Sequence, residues 1–465
     1  MKISKICCIG AGFVGGPTMA VIALKCPNIK VTVVDINKDK ISAWNGDVKK
    51  LPVYEPGLSD IISKVRNVNL FFSTEVEENI DDSEMIFLAV NTPTKTSGEG
   101  QGYAADLTNI ENSAKIIAKV SSRDKIIVEK STLPVRTAEK LKDVINLHKK
   151  PNINFEIISN PEFLAEGTAI NDLFKSDRVL VGGDDTESGK KAVNALVDIY
   201  KKWIPSKKIL KTNVWSSELS KLVSNAMLAQ RISSINSISA ICEKTGANIE
   251  EVSKATGMDS RIGSQFLKSS IGFGGSCFKK DILNLVYISK FYGLNEVADY
   301  WESVVKINLY QTERVAKKII STISDTTSTV SILGWSFKKN TNDSRESASI
   351  YLAKMILENG YNLKIYDPLV DKKRILDDIY QITNNDKVKF DNFSKRIKIY
   401  KSPLESVKMS SLIVICTEWD EFVALDWTKI YDLMKKPSWI FDGRNILDQI
   451  ELNKLGFQTF FIGKS

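Results

Sequence analysis

The segment that most constrains this chain is Gly10-Ala11-Gly12-Phe13-Val14-Gly15, set between a short apolar run and a stretch of helical character. The first glycine permits a tight turn, the second lets backbone approach a pyrophosphate, and the third lets helix and strand pack closely. Phosphates placed there sit on the positive end of the helix. About twenty residues after Gly15 the next apolar run ends in Val33-Val34-Asp35. A carboxylate at that distance binds both ribose hydroxyls and repels a 2′-phosphate, so NAD is expected rather than NADP. Glycine loops are common turns. The strand before, the helix after and the spaced acid are what make this one a dinucleotide site.

The rest of the first two hundred residues repeats the alternation of short apolar runs and helical stretches, the pattern of a parallel sheet wrapped by helices. Strands are expected at 5–9, 30–34, 85–90, 125–129, 155–159 and 178–182. From Trp215 to Thr245 there is neither Pro nor Gly, and Gly246 follows. That predicts one helix of about thirty residues, long for a globular protein. The alternation resumes near Ser328, with strands expected at 330–333, 363–366, 412–416, 439–441 and 458–462 and a helix at 347–358. The fold expected is α/β: two Rossmann-like doubly wound parallel-sheet domains, residues 1–212 and 326–465, joined by a central helical domain, 213–325. The second sheet's first strand runs into Gly334-Trp335-Ser336-Phe337-Lys338-Lys339, which is no dinucleotide fingerprint. One cofactor site is implied, and the C-terminal domain serves another ligand.

A chain of 465 residues exceeds what one core supports, which agrees with several domains. No segment approaches the roughly 18 uninterrupted apolar residues of a membrane span. The opening residues up to Gly10 read as a strand, their apolar run too short for a signal peptide. Six scattered cysteines and the single His148 provide no zinc-type spacing, so no metal is expected, and unpaired thiols suit the cytosol. The net charge of +8 comes from dispersed lysine pairs interleaved with acids. It describes a mixed solvated surface that also suits a small polyanionic substrate, not a nucleic-acid patch.

The most informative stretch is Gly272-Phe273-Gly274-Gly275-Ser276-Cys277-Phe278-Lys279-Lys280-Asp281. Glycines let backbone approach a ligand, and a cysteine at a helix start gains thiolate character from the helix dipole. If the helix begins near Cys277, Asp281 lies one turn on, on the same face. The other five cysteines read as packing. Lys221 and Asn225, at i and i+4 of the long helix, point the same way; a solvated face is the ordinary meaning of such a pair. Three polar loops with backbone-fixing prolines follow strands: Asn91-Thr92-Pro93-Thr94, Glu129-Lys130-Ser131-Thr132-Leu133-Pro134, and Asn160-Pro161-Glu162-Phe163-Leu164-Ala165-Glu166-Gly167. Their repetition at one sheet edge favours a ligand site over simple turns.

On these residues, and on 215–225, 231–240, Phe337-Lys338, 414–420 and 441–444, the whole chain resembles the UDP-glucose/GDP-mannose dehydrogenase family, with wording closest to its animal and plant branch. The resemblance implies a four-electron oxidation of UDP-glucose to UDP-glucuronate using two NAD⁺, through a thiohemiacetal and then a thioester on Cys277. Lys221 and Asn225 are implied to stabilise oxyanions, Asp281 to activate water, and Glu162 and Thr132 to act as further acid/base and water-orienting groups. Implied cofactor contacts are Gly10, Gly12, Phe13, Val14, Gly15, Asp35, Lys40, Val90, Asn91, Thr92, Pro93, Thr94, Ser131, Glu166 and, from the C-terminal domain, Arg345. Implied substrate contacts are Glu162, Phe163, Leu164, Lys221, Asn225, Arg261, Phe266, Lys268, Gly272, Phe273, Gly274, Phe337, Lys338 and Arg444. Homo-oligomers are implied as well, dimers through the central helices and hexamers in animal members. Trp335, Ser344, Asn445 and Lys280 depart from the family's wording, which bears on fine specificity. Two rival readings fit the same residues: a sister enzyme acting on GDP-mannose or UDP-N-acetylmannosamine, and a non-catalytic NAD or nucleotide-sugar binder.

Overall fold

The computed structural model describes residues 3–323, 325 and 328–464. Met1 and Lys2, which open the run up to Gly10, lie outside the described residues, as does part of the expected domain boundary at 325/326. The chain divides into two compact units, one of residues 1–224 and 283–293, the other of 225–282 and 294–465.

The first unit is built on eight strands: β1 (Lys5–Ile9), β2 (Lys30–Val34), β3 (Leu70–Ser73), β4 (Met85–Leu88), β5 (Lys125–Glu129), β6 (Phe155–Ser159), β7 (Val179–Gly182) and β8 (Ile209–Thr212). Their order is β3-β2-β1-β4-β5-β6-β7-β8. The order reverses between β1 and β4, so the loops after these two strands flank the crevice where α/β sheets bind ligands. Alternate residues serve opposite faces. Cys8, Val33, Phe87 and Val128 enter one core, while Cys7, Val34, Leu88 and Ile127 enter the other. Full burial of each Val, Leu, Ile or Phe side chain is worth about 1.5–3 kcal/mol, so a strand buried on both faces reads as a continuous apolar run.

Two features differ from the sequence expectation. β7 meets β6 antiparallel through the pair Ser159↔Gly182, and β8 runs parallel to β7. The β6–β7 connection contains only the helix Ala169–Phe174, six residues long. Such a helix rises about 9 Å, too short to carry the chain back along a neighbouring strand. The strands β3, β8 and, in the second unit, β11 were not expected. All three are short, partly exposed and at sheet edges, without the continuous apolar run of a central strand.

The second unit carries six parallel strands: β9 (Thr329–Leu333), β10 (Asn362–Tyr366), β11 (Ile397–Ile399), β12 (Leu412–Ile415), β13 (Trp439–Asp442) and β14 (Gln458–Phe461), in the order β11-β10-β9-β12-β13-β14. It too has a switch point, between β9 and β12. Val330, Ile332 and Val414 pack on one face, Leu333, Ile413 and Ile415 on the other. The long helix spans Val214–Thr245. It ends where Gly246, at φ +78°, takes the left-handed conformation that closes a helix, its N–H returning to Cys242 O at 3.0 Å. Among the described residues no helix is long and apolar enough to cross a membrane.

Candidate active site

In the first unit the glycine loop connects β1 to the helix Gly15–Lys25. Gly10 has φ +111°, and a Cβ there would meet Ala89 O at 2.4 Å. A Cβ on Gly15 would meet Gly10 O at 2.0 Å, so only glycine allows this turn to close. Gly12 is different: a Cβ on it would meet no atom within 4 Å. Its backbone therefore borders open space, as close approach of a diphosphate requires.

Asp35 follows β2. It accepts hydrogen bonds from Ala11 N (3.1 Å), Asn37 N (3.0 Å) and Lys40 Nζ (2.8 Å). Burial disfavours its ionised form, but the Lys40 hydrogen bond, the two backbone N–H groups and the Lys40 charge outweigh it and hold the carboxyl below its usual range. The acid thus stays ionised and ties the glycine loop to the second strand. Phe13 packs against the core of this unit, and Val14 stands at the N-cap of the helix.

The loops after β4 and β5 are knitted together. Ser131 Oγ donates to Val90 O at 2.7 Å, and Thr92 Oγ1 to Thr132 O at 3.1 Å. Pro93 O accepts from Asp106 N (2.7 Å), Thr94 bridges Ala105, and Asn91 O accepts from Asn109 Nδ2 (3.2 Å). The loop after β6 is held by a residue that sequence reasoning missed. Glu55 is buried and accepts from Gly167 N at 2.8 Å and Ala169 N at 3.1 Å, gripping the loop that carries Glu162, Phe163, Leu164 and Glu166. Its sequence signal is an acid beside a Pro-Gly turn, in Tyr54-Glu55-Pro56-Gly57.

Three of the expected catalytic residues meet in this unit. Lys221 Nζ lies 3.1 Å from Glu162 Oε1, and Thr132 Oγ1 lies 3.5 Å from the same oxygen; all three side chains are buried. Glu162 Oε2 is buried too, and no described residue donates to it, so an acceptor remains for water or a hydroxyl. Lys130 lies beneath them, donating to Asn160 Oδ1 at 3.1 Å. Burial pushes its pKa down to about 8, with Glu162 opposing and Lys221 adding to the shift. Phe163 lies under the Arg178 guanidinium, 3.8 Å from ring to cation.

In the second unit Asn225 Nδ2 donates to Asp281 Oδ2 at 2.6 Å, and Lys280 Nζ to Asp281 Oδ1 at 2.7 Å. Cys277 immediately precedes the helix Phe278–Phe291, and Asp281 N donates to Cys277 O at 2.8 Å. The sequence placed these two residues one turn apart at a helix start, and they stand so. Cys277 is also the one cysteine with partial exposure. The other five are buried, and burial raises every one of their thiols, Cys8 and Cys416 to about 12. A thiol available for chemistry is therefore found at one position.

The loop before Cys277 is clamped from two helices. Asn236 Oδ1 accepts from Ser270 N, and Gln311 Nε2 donates to Ser270 O, both at 2.8 Å. Asn308 takes both backbone groups of Phe273, accepting from its N at 2.8 Å and donating to its O at 3.0 Å. Arg345 O accepts from Gly275 N at 2.9 Å. A Cβ on Gly274 would meet Glu346 O at 2.6 Å and the Phe337 Cβ at 2.8 Å, so Phe337 packs directly on this loop. Gly272, at φ +149°, likewise faces Asn308. Arg444 joins three segments: its Nε donates to Cys416 O (2.7 Å), its Nη2 to Phe337 O (2.8 Å), and it pairs with Glu418 at 3.3 Å. Arg345 turns its guanidinium to Asp343. Arg261 is exposed and paired with Asp259, while Phe266 and Lys268 are exposed on the loop's outer part. Lys338 lies over the Phe337 ring at 5.6 Å.

A glycine loop at the switch point of a doubly wound sheet, closed by an ionised acid after the next strand, defines a dinucleotide-binding protein of the Rossmann type. The chain belongs to the UDP-glucose/GDP-mannose dehydrogenase family. Residues 4–204 match that family's NAD binding domain, 215–310 its central domain and 331–449 its UDP binding domain. It is 54% identical to a UDP-glucose 6-dehydrogenase of Drosophila melanogaster, over 99% of this chain and 96% of that protein. A Glycine max UDP-glucose 6-dehydrogenase is 52% identical, over 99% and 97%. Among solved structures, a UDP-glucose dehydrogenase of Pyrobaculum islandicum superposes with a TM-score of 0.84 at 25% identity, covering 100% of this chain and 98% of that one.

Proposed function

We propose that this chain oxidises C6 of UDP-glucose to the carboxylate of UDP-glucuronate in two NAD-dependent steps. Cys277 carries this reading: it is the partly exposed thiol, it stands at a helix start, and a buried Asp281 sits one turn on. NAD, when bound, takes up the electron pair lost by the sugar in each oxidation. Gly10, Gly12 and Gly15, with Asp35, the loops at 90–94 and 131–132, and Arg345, would hold it.

The chain's own residues do the rest. The Cys277 thiolate adds to the aldehyde carbon, forming a C–S bond, and the resulting oxyanion takes a proton to give a thiohemiacetal. Lys221 and Asn225 supply donors for that oxyanion. Oxidation converts the adduct to a thioester. Water then adds to its carbon, its proton taken up by a carboxylate, Asp281 or Glu162, and the C–S bond breaks with the thiolate as leaving group. Phe337, Lys338, Arg444 and the clamped loop ending at Phe273 bind the nucleotide and diphosphate, and Phe163, Leu164, Arg261, Phe266 and Lys268 frame the substrate.

The working domains are 1–212 for NAD, 213–325 for the catalytic and dimerising helices, and 326–465 for the UDP-sugar. Homo-oligomers form through the central helices, where Met227, Ile238, Ile241, Val297 and Tyr300 are exposed. The enzyme works in the cytosol, in keeping with six cysteines that form no disulfide. The test is NADH formed from a limiting amount of UDP-glucose, with GDP-mannose alongside. Two NADH per UDP-glucose and none from GDP-mannose is the expected result. One NADH per sugar would remove the thioester step, and activity with GDP-mannose instead would reassign the substrate.

A further inference from the structure

Beneath the loop that carries Ser131 and Thr132, the chain buries an acid that the mechanism does not use. Glu129 ends β5, and neither of its carboxyl oxygens receives an N–H or hydroxyl from any described residue. Its carboxyl faces the carboxyl of Glu218. Two carboxyl groups in contact and out of water cannot both be ionised, so one proton lies between them. Glu218, from the first turns of the long helix, is buried as well. It accepts from Arg136 N at 2.6 Å and Ala138 N at 2.8 Å, the amides at the start of the helix Thr137–His148.

We propose that Glu129 and Glu218 are a proton-sharing pair that positions the loop 130–136 and hence Thr132. Glu218 is the ionised member and grips the amides that end the loop. Glu129 is the acid, and its proton holds the Glu218 carboxylate in place. Neither touches substrate or cofactor; they are positioning residues. The proposal rests on the reading of Ser131 and Thr132 given above.

The surroundings make the pair sensitive to alkali. Burial raises both carboxyls, Glu129 well above its usual value, while the backbone N–H groups of Ala138 and Arg136 pull Glu218 the other way and favour its ionised form. The cation facing the pair is Lys142 of the Thr137–His148 helix, itself paired with Asp184. The Arg136 guanidinium turns away to Glu139, and Lys130 points to Asn160. A carboxyl with a raised folded-state pKa binds its proton more tightly in the folded chain. Its contribution to stability is therefore full below the unfolded pKa and is lost as pH rises through the folded pKa. When the shared proton leaves, two adjacent charges repel and the grip on the loop is released.

The test uses the full chain with Glu129→Gln and Glu129→Leu. Gln carries a permanent N–H for Glu218, whereas Leu leaves that carboxylate without its donor. Wild type is expected to show an infrared carbonyl band of a buried carboxylic acid at neutral pH, and Glu129→Gln to abolish it. Glu129→Gln should also keep kcat and move the alkaline limb of the pH–kcat profile upward. Glu129→Leu should lower kcat about tenfold, with the KM for UDP-glucose little changed. No band lost in Glu129→Gln, or an alkaline limb unchanged in that variant, would overturn the proposal. If Glu129→Leu does not fold, the Gln variant decides alone. The infrared band, and a weaker fall of melting temperature with pH in Glu129→Gln, need no turnover. They test proton sharing even if UDP-glucose proves not to be the substrate.

Discussion

Replacing Asp35 by alanine should weaken NAD and relax discrimination against NADP, and the structure sets the size of both effects. Its carboxylate is held ionised by Lys40 Nζ at 2.8 Å and by two backbone N–H groups, and its side chain is 11% exposed. Such an acid presents fixed acceptors to the ribose hydroxyls. A hydrogen bond to a charged group contributes about 1.5–3 kcal/mol, so losing one should raise the Kd for NAD roughly ten- to a hundredfold. NADP should respond differently. Alanine removes the charge that repels a 2′-phosphate and frees Lys40 to meet it, so affinity for NADP should hold or improve. The two effects together should lower the NAD/NADP preference by about two orders of magnitude. Ala11 N also loses its acceptor, which loosens the glycine loop for both cofactors. Asp35→Asn separates the causes, since an amide oxygen still supports Ala11 or Asn37 but carries no charge. Titration of NADH and NADPH by fluorescence, with a melting curve for each variant, reads all of this. An unchanged cofactor ratio in both variants would refute the reasoning and remove Asp35 from the site.

Cys277→Ser should abolish turnover while NAD and UDP-glucose binding, measured by calorimetry, stay largely intact; steady-state activity at the wild-type level would end the covalent mechanism. Gly15→Ala should destroy NAD binding in a folded chain, because its Cβ would lie 2.0 Å from Gly10 O. Retained NADH fluorescence enhancement would show that the loop can shift. Trp335→Phe removes the indole N–H that donates to the buried Asp378 at 3.0 Å, and should cost about 1–2 kcal/mol, read as a lower melting temperature with unchanged NAD affinity.

What the sequence made legible follows from where each signal comes. Central strands are apolar on both faces, and the long helix lacks breakers until Gly246, so both stand out in one dimension. The Gly10–Gly15 loop, Asp35 and Cys277 were legible because each needs a particular residue type at a particular spacing. The edge strands Leu70–Ser73, Ile209–Thr212 and Ile397–Ile399 were not, because each is short and partly exposed. The meeting of Glu162, Thr132 and Lys221 was not legible either: their pairing is set by the order of β5, β6 and the helix that follows, not by sequence distance. The departures Trp335 and Ser344 looked unrelated in the sequence, yet both donate to the carboxylate of Asp378, so they act as one packing unit under the loop that carries Phe337.

Glu55, Asn236, Asn308 and Gln311 escaped sequence reasoning for a common reason. Asparagine in a helix interior reads as a poor helix former, and a single acid reads as surface charge. Asn236 and Asn308 face inward and spend their amides on the backbone of the 267–275 loop, as Glu55 does for the loop after β6. Each such bond is worth only about 1 kcal/mol net, but losing one partner leaves a buried backbone group unsatisfied at about 1–3 kcal/mol. A loop held at both N–H and C=O, as Phe273 is by Asn308, has few other conformations open to it. Side chains spent on backbone groups thus fix the loops they hold. The reactive residues decide which reaction is available, while these clamps decide whether its parts are in place before substrate arrives.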